Sequence, residues 1–239
     1  IENYFCIFVN NTAKVLYQGG AVLYADEVKI ILNINCLFNK NDAITDGQTS
    51  ITSGGTIYVR GFWDSMKMSN HTLKNVNCIF MNNRALYGGA IYVQNMDKFI
   101  NVKCLFLRNI GEEGAALKIK TVNQVILLKT KIKYSISRKY RINSYGGGVY
   151  LSNILSISTM FSKFSSNMAY RGGDVFAWNV TYIYNFHLSA SASRANRGHG
   201  GSFFIKHSER VVNRHCKICH CFTTHNGGAF LFTQNIFLI

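Results

Sequence analysis

The heptapeptide His215-Cys216-Lys217-Ile218-Cys219-His220-Cys221 concentrates metal-ligating side chains within the 239-residue chain. Inside it, Cys216-x-x-Cys219-His220 has the spacing of covalent c-type haem attachment, in which two thiols take the haem vinyl groups and the histidine ligates iron. The same residues, joined by Cys221 and by His215 or His225, could instead make a zinc site, because zinc prefers thiolate and imidazole ligands. A second paired-ligand knuckle is missing, so such a set would be irregular. Six of the seven histidines fall between His187 and His225. A third reading gives the segment no chemistry. Phe222, five residues before Gly227, then takes the place of a repeated phenylalanine, and His225 that of a repeated asparagine. Cys219 and Cys221 flank the place of a repeated cysteine.

Carboxylate chemistry finds less support. Glycan hydrolysis or elimination needs two carboxylates close together, or carboxylates that gather calcium. The eleven acids are few and scattered: Glu2, Asp26, Glu27, Asp42, Asp46, Asp64, Asp97, Glu112, Glu113, Asp174 and Glu209. No repeated register holds two of them. Gly198-His199-Gly200-Gly201 lacks the Lys-Ser/Thr of a phosphate loop and reads as a turn.

These residues sit in a chain that repeats itself, and the repeat decides what positions them. Paired glycines or their remnant end in Gly20, Gly55, Gly89, Gly114, Gly147, Gly173, Gly201 and Gly228, spaced 25 to 35 residues apart. The second glycine is present in all eight units, and Glu113-Gly114 reads as having lost the first. A small residue and an apolar pair follow. Before the glycines stands Phe-x-x-Asn: Phe8/Asn11, Phe38/Asn41, Phe80/Asn83, Phe106/Asn109 and Phe164/Asn167. Two residues before four of these phenylalanines stand Cys6, Cys36, Cys78 and Cys104. The copies near Ile132 and Leu188 are degenerate.

Short β-prone runs with alternating character recur in each unit, and no unit shows a capped amphipathic helix. The expected fold is all-β: a right-handed parallel β-helix of about eight coils, open at both ends, with residues 1–239 as one array. Coils about 4.8 Å apart stack each repeat position on itself. Phenylalanines then form a core stack, asparagines a hydrogen-bonded ladder, and cysteines a stack of small buried thiols close enough for disulfides. The second glycine is expected at a turn that needs positive φ or close approach between coils.

Composition limits partners and location. Lys and Arg outnumber Asp and Glu by 26 to 11, giving +15, a balance that favours polyanions. Acidic glycans, anionic lipid surfaces and nucleic acid are the polyanions such a balance favours, although the charges are dispersed; of these, acidic glycans are the expected partners, with no nucleic acid expected. Ser137 to Arg141 is the densest basic run. No apolar run is long enough for a transmembrane segment. The sequons at Asn10, Asn70 and Asn179 permit N-glycosylation of a secreted chain.

Phe-x-x-Asn followed by Gly-Gly-Ala-(Ile/Leu/Val) resembles the repeat of chlamydial polymorphic outer-membrane proteins, and of large repeat surface proteins of bacteria and protists such as ciliates. The resemblance is strongest over residues 1–110 and 160–180. It implies a right-handed parallel β-helix displayed at a cell surface with an adhesin-like role. The membrane barrel of the chlamydial proteins has no counterpart among these residues. Ile1 to Cys6 reads as the second half of a coil and Gly227 to Ile239 as the first half of another. The chain is therefore expected to sit within a longer array, or to stack end to end with copies of itself in a filament. The expected function is an extracellular structural or adhesive repeat protein, not an enzyme, binding acidic glycans or other surface proteins. The alternative is a polysaccharide-processing β-helix lyase or hydrolase, marked by carboxylates on adjacent coils.

Overall fold

The computed structural model describes residues 1–14, 19–44, 52–62, 70–137, 144–196, 198–234 and 237–238. Arg138, Lys139 and Arg141 of the basic run lie outside them. Among the described residues there is no helix, and the named strands pair only in parallel. The chain is a parallel β-solenoid.

One coil shows how the sequence builds it. The run Ile91–Val102 is bent at Asn95, which takes left-handed φ of 54°. Lys103 (φ 54°) turns the chain into Leu105–Leu107, and Arg108 (φ 54°) turns it again into Ile110–Gly111. Gly114 (φ 62°) returns it to Leu117–Leu128, directly above the starting strand. Single left-handed residues between short strands make sharp corners, and asparagine tolerates that conformation better than most residues. Asn occupies many of these corners, among them Asn35, Asn77, Asn82 and Asn153.

The coils form a long face of thirteen strands, a short face of eight and a turn face of five, with a separate pair at Thr12–Lys14 and Asp42–Ile44. The eight short-face strands define eight rungs, joined by seven turns of the solenoid. Successive rungs repeat in as few as 26 residues (Asn75 to Asn101) and as many as 42 (Asn33 to Asn75). The surplus is inserted between strands, so register survives the change in length.

The core is a set of columns. Phe8, Phe38, Phe80 and Phe106 stack with centroids 5.0, 4.6 and 4.8 Å apart and rings within 9° of parallel. Isolated aromatic pairs prefer an offset or edge-on arrangement. Here the coil spacing imposes the stack. Ile132 follows Phe106 in the column, then Phe164, then Ala190. Phe164 therefore has no ring above or below it in its own column and meets Phe203 obliquely at 6.3 Å. Neighbouring columns are aliphatic, such as Ile57, Ile91, Leu117, Val149 and Val175.

Two register expectations are corrected. The glycine found in every coil is the one three residues before the long-face strand: Gly20, Gly54, Gly88, Gly114, Gly146, Gly172, Gly200 and Gly227. Seven of these have φ between 60° and 73°. Gly114 thus keeps the first glycine and has lost the second, whose place Ala115 takes. The following glycines, including Gly55, Gly89, Gly147, Gly173 and Gly201, are there for close approach alone: a Cβ on each would collide with backbone of the next coil. In the last rung, Ile218 and not Phe222 stands in the phenylalanine column, paired with Ala190. Phe222 pairs with Arg194 on the turn face. The connection between the phenylalanine and glycine positions varies in length, so counting back from Gly227 misplaces the rung by four residues.

Candidate functional site

Hydrogen-bonded columns run alongside the apolar ones. Asn11 donates through Nδ2 to Asn41 Oδ1 (2.9 Å), Asn41 to Asn83 (3.1 Å) and Asn83 to Asn109 (3.1 Å). Each Oδ1 also accepts the backbone N–H of the asparagine one rung earlier, as Asn83 Oδ1 does from Asn41 (3.0 Å). From Asn41 onward each Nδ2 also reaches back to a carbonyl at the phenylalanine position of the preceding rung, as Asn83 does to Phe38 (3.1 Å). One side chain thereby satisfies buried backbone at a corner where the β ladder lapses. The column passes through Ser135 to Asn167, whose Nδ2 donates to Ile132 O (2.9 Å), then to Ser193 and Cys221.

A second asparagine ladder lies three residues before each cysteine position. Asn3, Asn33, Asn75 and Asn101 are linked Nδ2 to Oδ1 at 2.8, 2.7 and 2.9 Å. It resumes at Asn185 and Asn213 (2.8 Å). Between them stands Leu127, which offers no acceptor, and Asn101 Nδ2 is left without a partner. Asn-x-x-Cys recurs in the sequence and would have disclosed this ladder.

The thiols of Cys36, Cys78 and Cys104 are buried, and each donates to a carbonyl of the preceding coil, as Cys78 does to Asn33 O (3.3 Å). Cys6 begins the column half-buried, and Thr130, Ser162 and Cys216 hold the same position with the same acceptor pattern. Burial pushes the Cys36 thiol up, away from the thiolate that would be reactive. All seven cysteines are free thiols.

The rung of Cys216 to Cys221 separates the residues of the haem and zinc patterns. Cys216 faces inward in the cysteine column, Cys219 lies outward opposite Ser191, and His220 occupies the exposed left-handed corner at φ 53°. Cys221 faces inward in the asparagine column and donates to Cys219 O (3.4 Å). Strand alternation thus points Cys216 and Cys219 to opposite sides. Among the described residues, no three of His, Cys, Asp and Glu are grouped to hold a metal ion. The histidines stack instead: His187 lies 5.0 Å from Phe161 and 4.9 Å from His215, in near-parallel array.

The carboxylates occupy separate rows. Opposite Asp26 stands Arg60, opposite Asp97 Asn123, opposite Asp42 Thr12 and Arg84, and opposite Glu113 Tyr87 and Tyr145. In these paired rows no two carboxylates meet on adjacent coils. Glu113 pairs with the buried Lys118 (2.6 Å), whose ammonium also lies 3.4 Å from the Tyr87 ring centroid. Burial lowers the pKa of Lys118 despite that carboxylate.

Asp174 is the one fully buried carboxylate among the described residues. It stands in a row otherwise held by small residues (Ala90, Ala116, Gly148, Ser202). Oδ1 accepts from Asn167 Nδ2 (2.8 Å) and Ser193 Oγ (2.5 Å), and Oδ2 from Ser202 Oγ (2.6 Å). The asparagine column shortens to Ser193 at this point, and the carboxylate fills the acceptor place that the oxygen of a further asparagine would have filled. Burial outweighs the three donors and pushes its pKa up from 3.8 to about 6. The folded state then binds the proton more tightly than the unfolded chain. Stability from this group is full below about pH 3.8 and is lost as pH rises to about 6. Asp174→Asn removes the charge and keeps one acceptor oxygen for Asn167 and Ser193, while its amide NH2 faces Ser202 Oγ, a hydroxyl that can turn to accept. The substitution is expected to raise the urea midpoint at pH 7.5, by an amount worth up to about 3 kcal/mol, and to leave it nearly unchanged at pH 4. A gain that does not shrink with acid would show that charge burial is not its cause.

Asn10, Asn70 and Asn179 are all exposed, the first and last at left-handed corners, with Asn179 donating to Asn153 Oδ1 (2.8 Å). No helix among the described residues is long and apolar enough to cross a membrane.

The chain matches the Chlamydia polymorphic membrane protein repeat over residues 77–94, which run from the phenylalanine strand of one rung to the next long-face strand. Over 102 residues it is 32% identical to a probable autotransporter, YfaL, of Escherichia coli (strain K12). That stretch is 42% of this chain and 7% of the relative. No solved structure matches. Cys78, Phe80, Asn83, Gly88 and Gly89 of the matched segment stand in columns of the solenoid: the chain is a parallel β-solenoid that matches the Chlamydia polymorphic membrane protein repeat over residues 77–94.

Proposed function

We propose that the chain is a non-catalytic stretch of an extracellular or cell-surface β-solenoid, with a structural and adhesive role. The observation that carries this reading is the continuity of the columns. The phenylalanine, asparagine and cysteine positions stay in register from rung to rung, although successive rungs repeat in 26 to 42 residues. Such a stack is a stiff spacer that presents long faces, and it lengthens by adding rungs. The similarity to a probable autotransporter supports display outside the cell, and the separated carboxylates favour binding over bond cleavage. Adjacent repeats or copies of the chain stacked end to end, acidic glycans and other surface proteins are its partners in this reading. The exposed sequons are compatible with glycosylation where the source attaches N-glycans.

The test is accessibility on intact cells that make the natural protein. An antibody against this segment is expected to label unpermeabilised cells, and external protease is expected to remove that signal. Labelling that appears only after permeabilisation would sink the reading.

A further inference from the structure

The lysines are scattered in sequence but not in space. Each short-face rung consists of a left-handed corner, an inward position, an outward one, the phenylalanine position, a second outward one and a second corner. Across the eight rungs these positions hold Lys40, Lys217 and a central group of six cations, and no Asp or Glu. The central six lie on three consecutive rungs. Lys103 and Arg108 are the corners of one rung. Lys129 is a corner and Lys131 and Lys133 are the outward positions of the next. Lys163 follows, in register with Lys131. Five of the six are exposed and Lys133 is half-buried, and none is in an ion pair among the described residues.

Strand geometry sets their lattice. Neighbours across rungs are about 4.8 Å apart and outward neighbours along a strand about 6.7 Å. Like charges so close repel one another in the free protein, and a polyanion laid along the solenoid axis relieves that repulsion. The other faces interleave both signs: Asp26 with Arg60 and Glu113 with Lys118. The face is flat, exposed and periodic along the axis.

We propose that this short-face lysine array binds a linear acidic polysaccharide lying along the solenoid axis. The assignment rests on the surface location proposed above only for the choice of partner; the cation array stands without it. Five of the six cations are lysines, which act as point charges and lack the planar fork that favours bidentate phosphate contacts. Exposed Tyr134 and Phe161, on the rungs of Lys131 and Lys163, add flat apolar surface for the C–H faces of sugar rings.

The test compares two triple variants of the full chain. Lys129→Gln/Lys131→Gln/Lys163→Gln empties the array, whereas Lys29→Gln/Lys74→Gln/Lys98→Gln removes the same charge elsewhere. Heparin serves as the sulfated probe and polygalacturonate as the carboxylated one. The array variant is expected to bind at least one of them about tenfold or more weakly than the parent, with the slope of log affinity against log salt reduced by about 2. The control variant is expected to stay close to the parent in glycan binding, and neither variant is expected to fall below the parent's thermal midpoint, the array variant gaining from relieved repulsion. Equal losses in the two variants would mean that net charge alone acts. Absence of binding to both glycans would overturn the proposal, as would tighter or equal binding of duplex DNA or of phosphatidylserine vesicles. Glycan binding by a chain that antibodies cannot reach on intact cells would leave the array standing and remove the display reading.

Discussion

Asn83→Ala is expected to destabilise the solenoid by about 3–5 kcal/mol, far more than removal of an exposed asparagine. The reasons are countable. Asn83 is fully buried. Its Oδ1 accepts both the backbone N–H and the Nδ2 of Asn41, and its Nδ2 donates to Phe38 O and Asn109 Oδ1. Alanine leaves the Asn41 N–H without an acceptor in a place that water does not reach, and an unmade buried hydrogen bond costs more than a made one contributes. Asn11→Ala removes the half-buried first member of the same ladder, which ends no one else's chain of donors, and is expected to cost about 1 kcal/mol or less. Asn83→Asp is the sharper probe. A carboxylate can accept both Asn41 bonds but has no hydrogen for Phe38 O or Asn109 Oδ1, so its defect is expected at neutral pH and should ease in acid. Urea unfolding of the whole chain, followed with hydrogen exchange at residues 38–41 and 80–83, measures all three. Equal losses for Asn83→Ala and Asn11→Ala would mean that the ladder is not what holds adjacent rungs.

How much of this was legible in the sequence follows from how a solenoid writes itself. Columns made of one residue type are visible as letters: Phe8 to Phe106, Asn11 to Asn109 and Cys6 to Cys104 recur in fixed order, and their fixed order is enough to read a parallel stack. Columns that tolerate substitution are not visible that way. Ile132, Ala190 and Ile218 continue the phenylalanine column, and Ser135, Ser193 and Cys221 the asparagine column. In the last rung both letters change together, and Phe222 then attracts the register to the wrong strand. The adjacent glycines fail for a related reason. Two identical letters hide a shift of one, and only the backbone separates Gly88, which needs positive φ, from Gly89, which needs empty space. The ladder of Asn33, Asn75 and Asn101 was readable through its spacing from cysteine but was masked by the abundance of asparagine.

Charges that are dispersed along the sequence are brought together by the fold. Residues about one coil apart in sequence are neighbours at strand spacing, so Lys103, Lys129 and Lys163 look dispersed along the chain while sharing two adjoining rows of one face. The same folding rule scatters what looks clustered. Cys216, Cys219 and His220 are close in sequence, yet strand alternation and a corner direct them apart. In a solenoid, proximity in sequence predicts opposite faces, and proximity at the coil period predicts a shared one.

That rule also identifies a single methyl group that the fold accepts only by moving backbone. Gly89→Ala is expected to destabilise by roughly 3 kcal/mol or more. A Cβ at Gly89 would run into the carbonyl oxygens of Ile110 and Ala115 and lie 2.6 Å from the carbonyl carbon of Ile110. These are backbone atoms of the next coil, so no side chain can swing aside. Opening the coil spacing there would stretch Gly89 N–H to Gly114 O, already 3.3 Å, and Ala90 N–H to Ala116 O at 3.2 Å. Gly111→Ala supplies the comparison within the same pair of coils. Its Cβ would meet nothing closer than 3.2 Å, at Ala115 Cα and Gly89 N, and a shift of a few tenths of an ångström accommodates it. That variant is expected to cost about 1 kcal/mol or less. Gly88→Ala has a different origin, since φ of 60° strains any L side chain and its Cβ meets the Ile91 carbonyl of its own turn. Gly88→Asn relieves part of the conformational term and none of the collision, so it is expected to fall between Gly88→Ala and the parent. Thermal and urea midpoints of the four variants rank these causes. If Gly89→Ala matched Gly111→Ala, the coils would have to be free to separate at the turn face, and the second glycine column would be composition rather than a geometric requirement.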